Sequence, residues 1–210
     1  MTSAMSAVDT LAKAIGDQAA GSPRLLVAIS GPPGAGKSTL AEGLEKALIA
    51  QGVPTSILPM DGFHMDNAVL EDRGLLARKG APNTFDVRGL VDIVRAVRGG
   101  DEVLVPVFDR TRELAIAAAR AIPAGPRVVL AEGNYLLLED QPWSVLAPLF
   151  DLTVMIAPPA DELRRRLEAR WRGFGLDEAA VAAKVEENDL PNGRLVLSRS
   201  RKADFVFSDN

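Results

Sequence analysis

Residues 31 to 38 read Gly31-Pro32-Pro33-Gly34-Ala35-Gly36-Lys37-Ser38. The spacing fits G-x-x-x-x-G-K-[ST], the phosphate-binding loop, and the flanks supply the context that this loop requires. Before it, Leu25-Leu26-Val27-Ala28-Ile29 is an unbroken apolar run that reads as a buried parallel strand. After it, Leu40, Leu44, Ala47 and Leu48 share one helical face, and Gly52 is placed to stop the helix after about Ala50. Glycines let backbone N–H groups close around phosphate oxygens, and a helix N-terminus adds the positive end of its dipole. Gly31, Gly34, Ala35, Gly36, Lys37, Ser38 and Thr39 are therefore the expected phosphate cradle. Lys37 would reach the β- and γ-phosphates of a bound ATP, and the Ser38 hydroxyl would hold Mg²⁺. The stretch predicts a nucleotide-binding protein.

The rest of the composition is consistent with that reading. At 210 residues, with 47% apolar and 25% charged residues, the chain suits one ordinary globular domain. A formal charge of -4 argues against broad nucleic-acid binding, which calls for a basic domain. Zero cysteines remove disulfides, thiolate metal sites and cysteine nucleophiles, in keeping with a reducing cytoplasm. Asp9, Lys13 and Asp17 interrupt any signal-peptide core, and no apolar run approaches the length of a membrane span. The expected setting is cytoplasmic.

Outward from the loop, strands alternate with helices. Val8, Leu11, Ala12 and Ile15 predict an amphipathic helix within residues 1–22, broken by Gly21-Ser22-Pro23 and packed on a domain spanning 23–210. Residues 55–60 form the second strand candidate, leading into Asp61-Gly62-Phe63-His64. Residues 65–84 read as an irregular loop, and a loop of that length is usually functional. Asp86 reads as the N-cap of a helix carrying Leu90, Ile93, Val94 and Val97. Alternation over 103–108 and again over 116–122 predicts a β-hairpin, although the alanines of the second arm also suit a helix. Val128–Ala131, Leu152–Ile156 and Phe205–Phe207 complete the strands. Asp161 is expected to cap an arginine-rich helix running to about Arg172, and residues 177–189 and 192–200 read as two further helices. The pattern predicts an α/β fold, a mostly parallel sheet with helices on both faces.

Parallel α/β sheets bind ligands beyond the carboxyl ends of their strands. The phosphate loop, Asp61 and Glu132 all follow strands and should converge. Glu132 follows four apolar residues, the Walker-B layout, where an acid holds Mg²⁺; the alternative is a helix cap. Asp61 is a candidate base for a substrate hydroxyl, or else a turn residue before Gly62. His64, the only histidine, lies beside it and is either a substrate contact or structural. Arg164, Arg165, Arg166, Arg170 and Arg172 form a basic run in which Arg166 and Arg170 share a helix face. Either this is a lid over about 161–176, hinged at Gly173-Phe174-Gly175, or it is a salt-bridged solvated face.

Taken in order, Gly31–Ser38, Asp61-Gly62-Phe63-His64, Thr84-Phe85-Asp86, Pro106-Val107-Phe108-Asp109 and Glu132-Gly133-Asn134-Tyr135 resemble the uridine kinase, pantothenate kinase and phosphoribulokinase family. The likeness runs over about residues 24 to 208 and is nearest to small bacterial members described as nucleoside or fructose-transport-system kinases. It implies a P-loop fold with a small hairpin and a helical lid, the use of ATP with Mg²⁺, and a small-molecule hydroxyl acceptor. A homodimer is compatible with it. It implies further that Asp61 activates the acceptor hydroxyl, that Asp86 binds sugar hydroxyls, and that Arg166 and Arg170 grip phosphate. The hairpin departs from uridine kinases, whose Pro-x-Tyr-Asp-Phe motif is followed by a histidine and an arginine. Here those positions hold Phe108, Arg110, Glu113 and Ala115. The tyrosine hydroxyl and the imidazole that would face a pyrimidine are both missing, and Arg110 and Arg112 suit an anionic acceptor. The sequence thus predicts a metabolite kinase acting on a sugar, polyol, nucleoside or pantothenate-like hydroxyl. A regulatory GTPase is the rival reading, but no N-K-x-D guanine signature is present. A non-enzymatic nucleotide-binding adaptor is the other.

Overall fold

The protein is described by a computed structural model over residues 6–125 and 127–208. Among the described residues seven strands follow in chain order: β1 (Arg24–Ser30), β2 (Thr55–Pro59), β3 (Val103–Asp109), β4 (Leu114–Ile122), β5 (Arg127–Glu132), β6 (Leu152–Ile156) and β7 (Phe205–Phe207). Five of them form a parallel sheet in the order β2-β5-β1-β6-β7, and β3 and β4 form a separate antiparallel hairpin. All seven residues of β1 are buried, as a continuous apolar run at the centre of a parallel sheet demands.

The helices are α1 (Ala7–Ala19), α2 (Lys37–Ala50), α3 (Asn67–Asp72), α4 (Val87–Gly99), α5 (Ala160–Gly173), α6 (Glu178–Ala183) and α7 (Leu190–Arg199). Alternate residues of a strand point to opposite faces, so β1 feeds two cores. Leu26 and Ala28 pack with Leu90, Val94 and Val97 of α4. Leu25, Val27 and Ile29 pack with Leu40, Leu44 and Leu48 of α2, and Leu11 and Ile15 of α1 belong to the same cluster. The result is the three-layer P-loop kinase fold that the alternating pattern predicts, with the hairpin set against the sheet's β2 edge.

Register brings the chemistry to one level. Ile29 of β1 pairs with Glu132 of β5, and Pro59 of β2 pairs with the same Glu132. The residues just beyond these positions, the phosphate loop and Asp61, therefore leave the sheet side by side.

Four local expectations are corrected. Residues 65–84 are not irregular: Asp66 caps the short helix α3 by accepting from Ala68 N at 2.9 Å, and 3-10 turns follow at Leu76–Arg78 and Pro82–Thr84. Asp161 does not cap α5. The helix starts at Ala160 after Pro159, which has no N–H to satisfy, and Asp161 sits inside the first turn. The two C-terminal helices are one rod. A π-helical turn over Lys184–Asp189 joins α6 to α7 and places Pro191 in the first turn of α7, where proline is tolerated. The second strand also stops one residue early, because Met60 opens a 3-10 turn through Phe63.

Candidate active site

The phosphate loop leaves β1 and turns sharply into α2. Gly34 and Gly36 sit at φ 77° and 93°, backbone that side chains disfavour, which is why the motif spaces glycines there. Gly36 is the N-cap of α2 and no side chain caps the helix, so its first N–H groups remain open for a phosphate. Lys37 is buried, with Nζ donating to the Pro32 carbonyl of the loop at 2.9 Å. Burial lowers its pKa to about 8, against the opposing pull of Glu132 and Asp61. A cavity of about 380 Å³ opens over the loop, within the range of small-molecule sites. Gly34, Gly36, Lys37, Ser38 and Thr39 line it; Gly31 and Ala35 lie behind that wall.

Glu132 ends β5 almost fully buried, and the Ser38 hydroxyl donates to its Oε2 at 3.3 Å. Burial pushes the Glu132 carboxyl up, with Asp61 adding to the effect and Lys37 opposing it. Two neighbouring oxygen donors beside a phosphate cradle suit Mg²⁺, which takes few protein ligands and completes its shell with phosphates and water. Among the described residues no three His, Cys, Asp or Glu side chains converge into an all-protein metal cage.

Asp61 lies in the 3-10 turn after β2, half-buried on the cavity wall. Gly62 makes this placement feasible: a Cβ there would stand 2.3 Å from the Pro106 carbonyl of β3, so only glycine lets the turn press against the hairpin. Arg110, in the hairpin loop, reaches back and donates to Asp61 Oδ2 at 2.6 Å. His64 Nδ1 lies 2.8 Å from the Asp61 carbonyl oxygen, and its ring packs against Phe85 and Phe108 at centroid distances of 4.1 and 4.7 Å. Burial lowers the His64 pKa, which favours the neutral ring. Lys79, from the compact 65–84 segment, stands 5.1 Å over the Phe108 ring and pairs with Glu113 Oε2 at 3.6 Å.

The arginine run divides. Arg164 pairs with Glu186, Arg165 with Glu162 and Arg172 with Glu178 and Glu168, which makes these three a solvated, salt-bridged face. Arg166 and Arg170 instead line the cavity. Arg166 donates to the Ala35 carbonyl at 3.3 Å and to Glu162 at 2.6 Å. Arg170 packs on the Trp171 ring at 5.4 Å. Leu167 lies over Gly34, so α5 rests directly on the phosphate loop.

Asp86 is exposed, accepts from Gly89 N at 2.9 Å as the cap of α4, and is not part of the cavity wall. The cavity wall also holds residues that sequence reasoning passed over: Lys79, Asn134, Trp171, Lys184, Asn188 and Asp189. Trp171 Nε1 donates to the buried Asp189 at 2.6 Å. Burial raises the Asp189 pKa, and the Trp171 hydrogen bond and Arg170 oppose the rise. The length of the 65–84 segment marked the region of Lys79 as functional without singling out the residue, whereas Asp189 fell in a stretch read only as a helix.

A phosphate loop at the sheet's carboxyl edge, two oxygen donors beside it and an aspartate across the cavity define a P-loop kinase site. The chain belongs to the Phosphoribulokinase / Uridine kinase family, whose model matches residues 26–207. It is 39% identical over 187 residues to the uncharacterised protein YggC of Escherichia coli, covering 87% of this chain and 77% of that one. It is 31% identical over 194 residues to a provisionally named uridine kinase of Schizosaccharomyces pombe, covering 88% and 83%. The crystal structure of a provisionally named fructose transport system kinase from Silicibacter sp. TM1040 superposes with a TM-score of 0.91 at 41% identity, covering 97% of this chain and all of that one. Family membership implies ATP use and a small-molecule substrate. Among the described residues no helix is long and apolar enough to cross a membrane.

Proposed function

We propose that this kinase transfers the γ-phosphoryl group of ATP to a hydroxyl of a sugar, polyol or carboxylated alcohol. The observation that carries the reading is that Lys37, Asp61, Arg166 and Arg170 line one cavity although they come from three separate segments. Phosphoryl transfer needs little covalent help from the protein; positioning and charge neutralisation do most of the work. Lys37 and the open N–H groups of α2 hold the phosphates. Ser38 and Glu132 are the residues that would hold Mg²⁺, which neutralises phosphate charge when bound. Asp61 takes the proton of the attacking hydroxyl. Arg166 and Arg170 steady the charge on the transferring group and keep water out.

The acceptor end argues against a pyrimidine. Phe108 has no hydroxyl to offer, and Glu113 is engaged by Lys79. A site that lacks the groups to pair with a polar edge loses discrimination for it. A sugar acceptor also agrees with the name given to the Silicibacter structure. The test is ATP consumption against a metabolite panel with product identification. ATP loss only with an acceptor, and a phosphorylated alcohol as product, is the expected result. Slow acceptor-independent hydrolysis alone would indicate a switch, and no turnover at all an adaptor. Efficient uridine phosphorylation, with kcat/KM near 10⁵ M⁻¹s⁻¹ on the ordinary enzyme scale of about 10⁴ to 10⁸, would refute the acceptor assignment.

A further inference from the structure

Two ion pairs line the acceptor end of the cavity, Arg110 with Asp61 and Lys79 with Glu113. The first is the more consequential, because it occupies the carboxylate that the kinase reading assigns as the base. Arg110 is placed for this contact. Asp109 accepts from Thr111 N, Thr111 Oγ1 and Arg112 N at 2.9, 2.6 and 3.1 Å, which fixes the hairpin loop. The close approach of Gly62 to Pro106 holds Asp61 beneath that loop. The pair is also breakable. The Arg110 side chain is 46% exposed and that of Asp61 27%, and ion pairs open to water contribute little net stability.

We propose that Arg110 gates the base: it holds Asp61 until an anionic group on the acceptor draws the guanidinium away and frees the carboxylate. The inference rests on the kinase reading of the same cavity and adds the acceptor's charge and its coupling to catalysis. A planar guanidinium suits a carboxylate on the acceptor as well as it suits Asp61. A ligand shifts such an equilibrium only through differential affinity, and a neutral alcohol offers Arg110 no replacement for the charge it leaves. The gate suppresses waste. With no acceptor, water can sit near Asp61 while ATP is bound. Attack by that water would form an oxygen–phosphorus bond as the bond from the γ-phosphorus to the bridging oxygen breaks, ADP leaving with the electron pair and the water proton passing to Asp61. While Asp61 Oδ2 accepts from Arg110, that oxygen is not free to receive the proton.

The experiment needs no knowledge of the natural acceptor. Binding of MgATP and its acceptor-free hydrolysis are measured for the wild-type protein, Arg110→Gln, Arg110→Lys, and Arg110→Gln combined with Asp61→Asn. Arg110→Gln should retain MgATP binding and raise acceptor-free hydrolysis at least fivefold; Arg110→Lys should fall between; adding Asp61→Asn should abolish the gain. Acetate, compared with chloride at equal ionic strength, should stimulate hydrolysis saturably in the wild type and not in Arg110→Gln. An unchanged rate in Arg110→Gln with MgATP still bound overturns the gate and leaves the kinase reading standing. The absence of acetate stimulation overturns the anionic trigger. Failure of the wild-type protein to bind MgATP removes the kinase reading, and the gate with it.

Discussion

Lys37 carries its charge at a cost, because the loop buries it. Its pKa is lowered to about 8 by burial, whereas a bound triphosphate restores the demand for an ammonium. The sign follows. Below about pH 8 the lysine is already charged and ATP affinity should be flat; above it, binding must take up a proton. Affinity should then weaken by up to about tenfold for each pH unit, since one pKa unit corresponds to about 1.4 kcal/mol. Titration with a fluorescent ATP analogue from pH 7 to 10 reads this directly, and a flat profile throughout would contradict it. Asp61 acts on a different quantity. Asp61→Asn keeps the shape but accepts no proton, so kcat should fall by about 10²- to 10⁴-fold with ATP affinity nearly intact. Collapse of ATP affinity instead would place Asp61 among the metal-holding groups.

The arginine-rich helix α5 shows how one segment divides its labour. Its outer arginines are paired with Glu162, Glu168, Glu178 and Glu186, while Arg170 faces the cavity with Trp171 beside it. Arg170→Lys keeps the charge and loses the planar fork, so transfer should slow at least tenfold, a rough figure for arginine-type stabilisation of a transferring phosphoryl group. A silent substitution would assign Arg170 to packing. The rod from α6 to α7 meets α5 where Trp171 donates to Asp189. Burial raises the Asp189 pKa, so the folded protein holds that proton more tightly than the unfolded chain does. This contribution therefore weakens stability as pH rises above the ordinary aspartate value near 3.8. Asp189→Asn still accepts from Trp171 and carries no charge to bury. Its Tm advantage over wild type should be near zero at about pH 4 and grow toward pH 7; thermal melts across that range decide it, and an advantage that shrinks would reverse the assignment.

Stability and chemistry are housed at opposite ends of β1. At the amino end, the buried Arg24 guanidinium donates to the carbonyls of Val97, Gly100, Pro123 and Gly125 at 2.8 to 3.1 Å. It joins the end of α4 to the connection between β4 and β5. At the carboxyl end, about 20 Å away for seven residues of strand, lies the phosphate loop. Arg24→Ala removes four hydrogen bonds and leaves the Pro123 and Gly125 carbonyls without the donor that Arg24 supplied, while Val97 and Gly100 keep backbone donors. The loss should cost roughly 3 kcal/mol, or about 6 to 12 °C in Tm for a chain of this size. The kcat of the folded fraction should stay within about twofold of wild type. Equal losses in Tm and kcat would mean that the two ends are coupled.

The features legible in the sequence are those that local physics dictates. A buried parallel strand is a continuous apolar run, and a phosphate loop needs glycines at positive φ, so Leu25–Ser38 announced both the central strand and the nucleotide. Glu132 and Asp61 could be placed because they follow strands, and strand register then levels them. Pairings across the fold were beyond such reasoning. Arg110 and Asp61 lie 49 residues apart, and Asn188 donates to the Lys79 carbonyl across 109. Helical spacing put Arg166 and Arg170 on one face, apart from Arg164 and Arg172, but which face meets the cavity and which meets solvent and carboxylates depends on how α5 packs. A carboxylate before a helix can cap it, bind a ligand or do both with the same residue type; Asp86 caps α4, and it is not among the residues that line the cavity. Local pattern is written in neighbouring residues and survives in the sequence, whereas the partner of a charged side chain depends on which distant backbone the close-packed core brings within about 3 Å of it, and only the tertiary structure decides that.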